Sequence, residues 1–576
     1  MSQKEVVGKE ESIFSKRIFN IKWSWVVLAL ILLLGFYFRA YHIDYPVIGY
    51  HNWKEVHHLS EARNYVLDGF SKDGLFMPHY DDNTFGENPY GLHSDTFPLV
   101  QIMGAVIFRI FGYKLWMARM ISIIFNLGAV LMFYLLIKQL FKKYDKKEEL
   151  SLTCAFLAAI NPLLVFFSHN FDDINPALFF MLGCAFLYAK WVDEQKGWQL
   201  ALAALFGGFA TVLKYTFGII AVPILITFPY KKVFSALKKY WKSLAVSALM
   251  ILVCLSWIPY ASYMNKIHQG MSYSAVEIVK MKVTWGNIPL LFSQDFLVPV
   301  LLSPNSYVAD NYSKIGFTFA ALGFVLLLIF WKKGFGNKFM SAYFIAFILF
   351  IVVGSDTLRG HSYHQYPIAP LIIFLMAYLF TFVGTTLEKF FNVKFLSWFV
   401  IIIFIALLMK PSVDAKNRQF NTQFIGQDVA GDYIKKHMLP GERMLFPSHQ
   451  SYGVIWNSGM KAYMFPENAS IIPLMEEEAN VSWVFVYQWG FSILDNKPVW
   501  DYIKEHYSLA QFGFQQNTGL IYILLKKGGS FNASNMEEVS NQLNAILQKS
   551  LASSIKSKEY EYTTGKFTMN YYDVIA

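Results

Sequence analysis

The sequence predicts a polytopic α-helical membrane protein of about eleven spans carrying a C-terminal α/β domain on the extracytoplasmic side. Three observations predict it. Of 576 residues, 55% are hydrophobic and only 16% charged, and many of the apolar ones fall in runs able to cross a bilayer as helices. The lysines cluster in short loops between those runs, and an alternating topology brings every strongly basic loop to one face. After Lys410 the spanning runs stop, and helical and strand patterns alternate to the end.

Residues 1–22 form a cytoplasmic tail rich in Lys and Arg, and Trp23 to Ala40 is a retained signal anchor. The first outer loop, 41–115, follows. Within it FPLVQIMGAVIFRIFG (97–112) is short and contains Arg109, which suits a helix lying along the interface. The run 116–137 then delivers KQLFKKYDKK to the cytoplasm. Further spans are expected near 150–167, 176–189, 199–213, 217–228, 243–263, 317–331, 341–353, 368–383 and 395–409, with a long outer loop at 265–314. The membrane domain thus covers 23–410. In 411–576, DVAGDYIKKHM and VWDYIKEHY read as helices, RMLF and SWVFVYQ as buried strands, and LIYILLKK as a closing strand.

The net charge of +10 comes from the loop lysines and excludes nucleic acid as a partner. The cysteines 154, 184 and 254 all lie in apolar runs, so neither a disulfide framework nor a thiolate metal site is expected. No glycine-rich phosphate loop is present.

Four outer loops gather the polar residues that need a purpose: GYHNWKEVHHLSEAR with His51, Lys54, Glu55 and Arg63; FSHNFDDINP with Asp172 and Asp173; Lys214-Tyr215; and TLRGHSYHQYP with Arg359, His361, His364 and Tyr366. Acids beside cations suit a reaction that deprotonates a hydroxyl while a phosphate departs. Simpler readings stand beside this one. Loop charges are commonly solvated, Asp173 can cap the helix that starts near Asn175, and His57 and His58 lack the spaced partners of a zinc site. The acids Asp81, Asp82, Glu87 and Asp95 are expected in solvent.

Taken in order, the polar first loop, the segment from FPLVQIMG to LIKQLF, NPLLVFFSHNFDDINPALFF, VLKYTFG and HSYHQYPIAPL resemble the GT-C glycosyltransferases. Within them they resemble the protein O-mannosyltransferase and aminoarabinose-transferase group. The similarity spans roughly residues 20 to 410. It implies inverting sugar transfer from a polyprenyl-phosphate carrier to an extracytoplasmic glycan, lipid or protein acceptor, with an acid in the first outer loop as base. Many members have an Asp-Glu pair where this chain has Lys54-Glu55, so only Glu55 inherits that role by position. Asp172 or Asp173 matches the acid of the second loop. Where the aminoarabinose enzymes place a lysine, this chain has Thr96, so the phosphate needs another cation. His51, Lys54, Arg63, Lys214, Tyr215, Arg359, His361, His364 and Tyr366 are the expected substrate contacts. A divalent cation, magnesium or manganese, bridging Glu55 and Asp173 is a candidate cofactor. A transporter, flippase or binding protein for lipid-linked sugars is the alternative.

Overall fold

The computed structural model describes residues 17–18 and 21–574, except 87, 89–90, 93–95, 271–287, 449, 516–518, 532 and 550–553. Most of the expected cytoplasmic tail therefore lies outside the described residues, as do Glu87 and Asp95.

Helix α1 (Trp23–Arg39) is apolar until its last residue. The expected first outer loop contributes α2 (Asn52–Asp68) and the amphipathic α3 (Leu99–Phe111). Next come α4 (Leu115–Leu140), α5 (Lys147–Ile160), α6 (Pro162–His169), α7 (Ile174–Glu194) and α8 (Gly197–Leu213). Asn161 breaks α5 from α6: its backbone is extended, its side chain accepts from the Leu164 N–H, and Pro162 opens the new helix. The two meet at 51°.

Among the described residues six helices are long and apolar enough to cross a membrane, or eight if each of two bent pairs counts as one span. Three expected spans, at the start and near 199–228, fold as Trp23–Arg39, Gly197–Leu213 and Tyr215–Thr227, each no longer than 17 residues. They account for the difference from about eleven. The expected interfacial helix is α3, with 13 residues.

The C-terminal domain is built on an eight-stranded mixed sheet. Its strands are β1 (Asp82–Asn83), β2 (Arg443–Phe446), β3 (Ala462–Met464), β4 (Val481–Tyr487), β5 (Tyr507–Gln515), β6 (Gly519–Lys527), β7 (Lys556–Tyr562) and β8 (Gly565–Asp573), in the spatial order β1-β3-β2-β4-β6-β5-β8-β7. The expected helices appear as Gln427–His437 and Lys497–His506.

Two expectations change. LIYILLKK lies in the sheet interior and is not the closing strand, because the β7–β8 hairpin follows it and pairs with β5. The boundary at 410 also moves, since the last membrane helix runs unbroken from Leu396 to Asn421 through Pro411.

β1 belongs to the first outer loop and pairs in parallel with β3. Phe424 N–H donates to Ile48 O at 2.7 Å, and Val47, Ile48, Val56 and Leu59 share one apolar core with Met444, Phe446 and Trp483. The segment between α1 and α4 and the C-terminal domain therefore fold on each other.

Candidate active site

One wall of the site is α2. It opens at His51 in the left-handed region (φ 59°), and Lys54, His58 and Glu61 recur at i, i+4 and i+7 on one face. Facing them, the turn between α6 and α7 presents Asp172 and Asp173, both essentially inaccessible at 0% and 1% exposed. Lys54 Nζ donates to Asp172 Oδ1 at 2.7 Å and lies 3.7 Å from Asp173 Oδ1. His58 Nε2 lies 3.8 Å from Asp172 Oδ1 and 4.0 Å from Asp173 Oδ1. Lys54, His58, Glu61 and Asp173 border a cavity of about 210 Å³ lined also by Trp53, His57, Tyr80, Thr96, Lys214 and Tyr363.

Close packing holds the walls together. A Cβ at Gly104 of α3 would come within 2.6 Å of the Phe171 ring and 3.2 Å of Ala62, so glycine lets α3 press against α2 and the Asp172 turn. Phe97 N–H donates to Val212 O at 2.8 Å, tying the start of the interfacial segment to the end of α8 and so bringing Lys214 to the cavity. This answers the missing cation at Thr96: its hydroxyl donates to Asp173 Oδ2 at 3.3 Å, while Lys214 carries the charge.

Burial raises the Asp172 carboxyl above its usual range, with Lys54 opposing and Asp173 reinforcing the shift. Burial acts on Asp173 in the same sense, but Lys214 and Lys54 outweigh it and hold that carboxyl low. Lys54 is itself lowered by burial, against the pull of Asp172. The adjacent acids are thus driven apart in proton affinity, a pattern found where groups divide acid and base roles.

Several expected site residues sit elsewhere. Glu55 is buried, but Arg119 spans both its oxygens at 2.7 and 2.9 Å, and Phe171 N–H donates to one of them at 3.2 Å. Arg119 also donates to the carbonyls of His42, Ile43 and Tyr45, so the pair locks the start of the outer loop onto α4. Among the described residues the group of acids and imidazoles close enough to share a cation is His58, Asp172 and Asp173, without Glu55. Arg63 pairs with Asp81 and stacks over Trp456, joining α2 to the C-terminal domain. Asp81 and Asp82 are consequently buried, and Asp82 lies 3.0 Å from His57 Nε2. Arg359 pairs with Asp356 at 2.7 Å and does not line the cavity, nor does Tyr215.

The Tyr366 hydroxyl is used within the protein, donating to Asn175 Oδ1 and accepting from Asn126 Nδ2, both at 2.7 Å. His361 stands 5.8 Å from the Trp53 ring and 5.9 Å from His364, beside the cavity. His51 packs 5.1 Å from His361, with both ring nitrogens buried and without a hydrogen-bond partner. Burial, then His361 and Lys54, hold it well below the usual imidazole range. The capping role considered for Asp173 goes to its neighbour: Asp172 Oδ1 accepts from Ile174 N–H at 3.1 Å, and Asp173 makes no side-chain cap.

His58 is the residue that sequence reasoning set aside. His58, Asp172 and Asp173 each offer a ligand atom, all within 4.8 Å of one another. His58 Nδ1 lies 3.1 Å from Glu61 Oε2, which also accepts from Gln101 at 2.8 Å. Nδ1 faces Glu61 and the Gln101 amide, at 3.1 and 2.6 Å, so Nε2 is the ring nitrogen turned toward the acids. A carboxylate behind the imidazole is the support that metal-binding histidines use, and His58 Nε2 and Asp173 Oδ1 are buried with no hydrogen-bond partner. Two carboxylates and an imidazole fit a divalent cation. Lys54 already places one positive charge in the same group.

Residues 93–260 match the family model "Dolichyl-phosphate-mannose-protein mannosyltransferase". Among solved structures, the apo oligosaccharyltransferase of Archaeoglobus fulgidus superposes with a TM-score of 0.57 at 14% identity, covering 95% of this chain and 81% of that one. ArnT from Cupriavidus metallidurans bound to undecaprenyl phosphate gives a TM-score of 0.57 at 9% identity, covering 87% and 97%. The chain has the GT-C glycosyltransferase fold. The Archaeoglobus protein is also known with an inhibitory peptide and a dolichol-phosphate (TM-score 0.55, 15% identity, 94% and 79% covered), and with Zn and sulfate (0.55, 15%, 93% and 79%). No curated protein matches the chain at a significant level. The GT-C fold and the apolar helices make this a multi-pass membrane protein, as the sequence predicts.

Proposed function

We propose that this GT-C protein is a glycosyltransferase that moves a sugar from a polyprenyl-phosphate carrier to an acceptor hydroxyl, with inversion. The observation that carries the reading is the group of buried Lys54 and Asp173 and half-buried Lys214 around a cavity beneath the first outer loop, with buried Asp172 paired to Lys54. Buried charges are costly unless they are used, and this set has what the reaction needs. The carriers named with the similar structures, dolichol-phosphate and undecaprenyl phosphate, supply the donor class.

In the reaction the bond from the sugar's anomeric carbon to the carrier phosphate oxygen breaks, and a bond to the acceptor oxygen forms on the opposite face. The departing phosphate needs charge stabilisation more than a proton, and Lys214 and Lys54 supply it. The acceptor hydroxyl donates to Asp173 Oδ1. Its proton passes to the Asp172–Asp173 pair, where burial of Asp172 provides the affinity for it. Glu61 orients His58, and Thr96 and Gln101 fix the flanking carboxylates. His58, Asp172 and Asp173 would hold a divalent cation, whose charge would add to that of the lysines on the phosphate.

The N-terminus faces the cytoplasm, and the cavity and residues 422–574 face outward. Purified protein given a labelled polyprenyl-phosphate sugar should release free polyprenyl phosphate and label an acceptor. Binding of the donor without release would replace this reading with carriage of lipid-linked sugars.

A further inference from the structure

A cavity of about 650 Å³ lies at the far end of the bundle from the acids. Three helices connect the two places. α4 carries Arg119 behind Glu55 at one end and reaches Leu140 at the other, roughly 30 Å away at 1.5 Å per residue. α7 begins just after Asp173 and ends beyond Asp193, and Ala369–Phe391 begins just after Tyr366 and ends beyond Lys389. The cavity therefore belongs to the opposite membrane surface, the one that the lysine distribution assigns to the cytoplasm.

Its interior is apolar, walled by Leu140, Phe141, Phe330, Phe335, Tyr378 and Phe382, and its volume is in the range of small-molecule sites. Its mouth is basic: Lys142, Lys143, Lys333 and Lys389 all line it, against a single acid, Asp193, which pairs with Lys142. Lys143, Lys333 and Lys389 are exposed, and among the described residues they form no ion pair. Exposed aromatic residues flank two of these lysines. Trp331 is 48% exposed beside Lys333, and Phe390 and Phe391 are 78% and 58% exposed beside Lys389. Aromatic and basic residues together mark the headgroup level of a bilayer. The walls meet closely here, since a Cβ at Gly336 would come within 2.8 Å of Leu140 O.

We propose that this cavity binds one anionic phospholipid of the inner leaflet, with its headgroup phosphate among Lys143, Lys333 and Lys389 and its upper acyl chains against the phenylalanines. Three unpaired cations fit an anionic headgroup. The apolar interior and the aromatic rim fit a lipid and not a free phosphate compound, and basic pockets between membrane helices on this side take such headgroups. The assignment is independent of the reaction at the other surface.

Native mass spectrometry of the detergent-purified full chain with added phosphatidylglycerol or phosphatidylcholine tests it. The wild type should retain phosphatidylglycerol preferentially. The triple variant Lys143→Ala, Lys333→Ala, Lys389→Ala should lose that preference by at least about tenfold, and the corresponding triple arginine variant should keep it. Equal retention by wild type and the alanine variant, or no preference in the wild type, overturns the proposal. Inorganic phosphate or glycerol 3-phosphate displacing the lipid at millimolar concentration would assign the site to a soluble anion and overturn it equally. Should the triple variant fail to fold, Thr386→Trp fills the cavity from an exposed position with the lysines in place, and unchanged lipid retention in that variant refutes the site.

Discussion

Replacing Lys54 with methionine removes the cation that holds Asp172 and Asp173 together while keeping most of the side chain's volume. The ammonium is 2.7 Å from Asp172 Oδ1 and 3.7 Å from Asp173 Oδ1. At an effective dielectric of about 20 these distances correspond to roughly 6 and 4 kcal/mol of attraction, most of it spent on desolvating the three groups. Breaking such a pair from one side typically costs about 3–5 kcal/mol, and here the cost depends on pH. Asp172 is already raised by burial, and losing Lys54 raises it further. A carboxyl whose folded pKa exceeds its unfolded one destabilises the fold progressively as pH rises from the unfolded value toward the folded one, because the native state then binds the extra proton. The variant should therefore fall further behind the wild type between pH 6 and pH 9, by up to about 1.4 kcal/mol per pH unit above the wild-type titration. Thermal unfolding in detergent across that range measures it, alongside turnover of a labelled polyprenyl-phosphate sugar, which should drop by about 10² or more. A variant that keeps over a tenth of wild-type turnover and melts in parallel with it at every pH would refute the role given to Lys54.

Asp173→Asn should lower turnover by about 10² and also lower the melting temperature near neutral pH, because a carboxyl held low by Lys214 and Lys54 stabilises the fold there; full activity would remove Asp173 as the hydroxyl's partner. Glu55→Gln should instead lower stability, by about 3 kcal/mol or more, because it leaves the buried Arg119 without its counter-charge; a stable but inactive variant would restore Glu55 as the base. Burial keeps His51 neutral while the unfolded chain protonates near pH 6.5, so this residue destabilises the fold as pH falls below that value, by up to about 1.4 kcal/mol per unit. His51→Phe should flatten the acid side of the melting profile, and an unaltered profile would contradict this. Ser530→Cys, on an exposed turn, should react in intact cells with an impermeant thiol reagent, since the native cysteines are buried. Labelling only from the cytoplasmic side would reverse the proposed orientation.

The sequence made the membrane architecture legible because bilayer thickness and lysine placement act on each segment locally. Asp172, Asp173, Lys54 and Lys214 were legible as a group for the same reason: all fall at span ends on one face. What stayed hidden depends on partners distant in the chain. Arg119 claims Glu55 from 64 positions away, and Tyr366 meets Asn126 across 240, so no local pattern shows that these polar groups are already satisfied. Signals were nevertheless present. Lys54, His58 and Glu61 share a helix face, which ties His58 to the acids. Arg39 and Arg119 lie in apolar runs, where a charge demands a nearby partner. Asp81 and Asp82 were misplaced because the glycine and asparagine around them suggest solvent, whereas Asp82 and Asn83 serve as a sheet strand.

That strand has a consequence for how the protein can be taken apart. A cut after Asn421 would not yield a self-sufficient membrane bundle, because the segment that crosses into the sheet through β1 also runs on from the helix bearing Lys54 and His58. Grafting the outer domain of another GT-C protein onto this bundle would meet the same obstacle unless residues 78–92 travelled with it. Lineages that exchange or remodel this domain should therefore do so in two separated stretches of sequence at once.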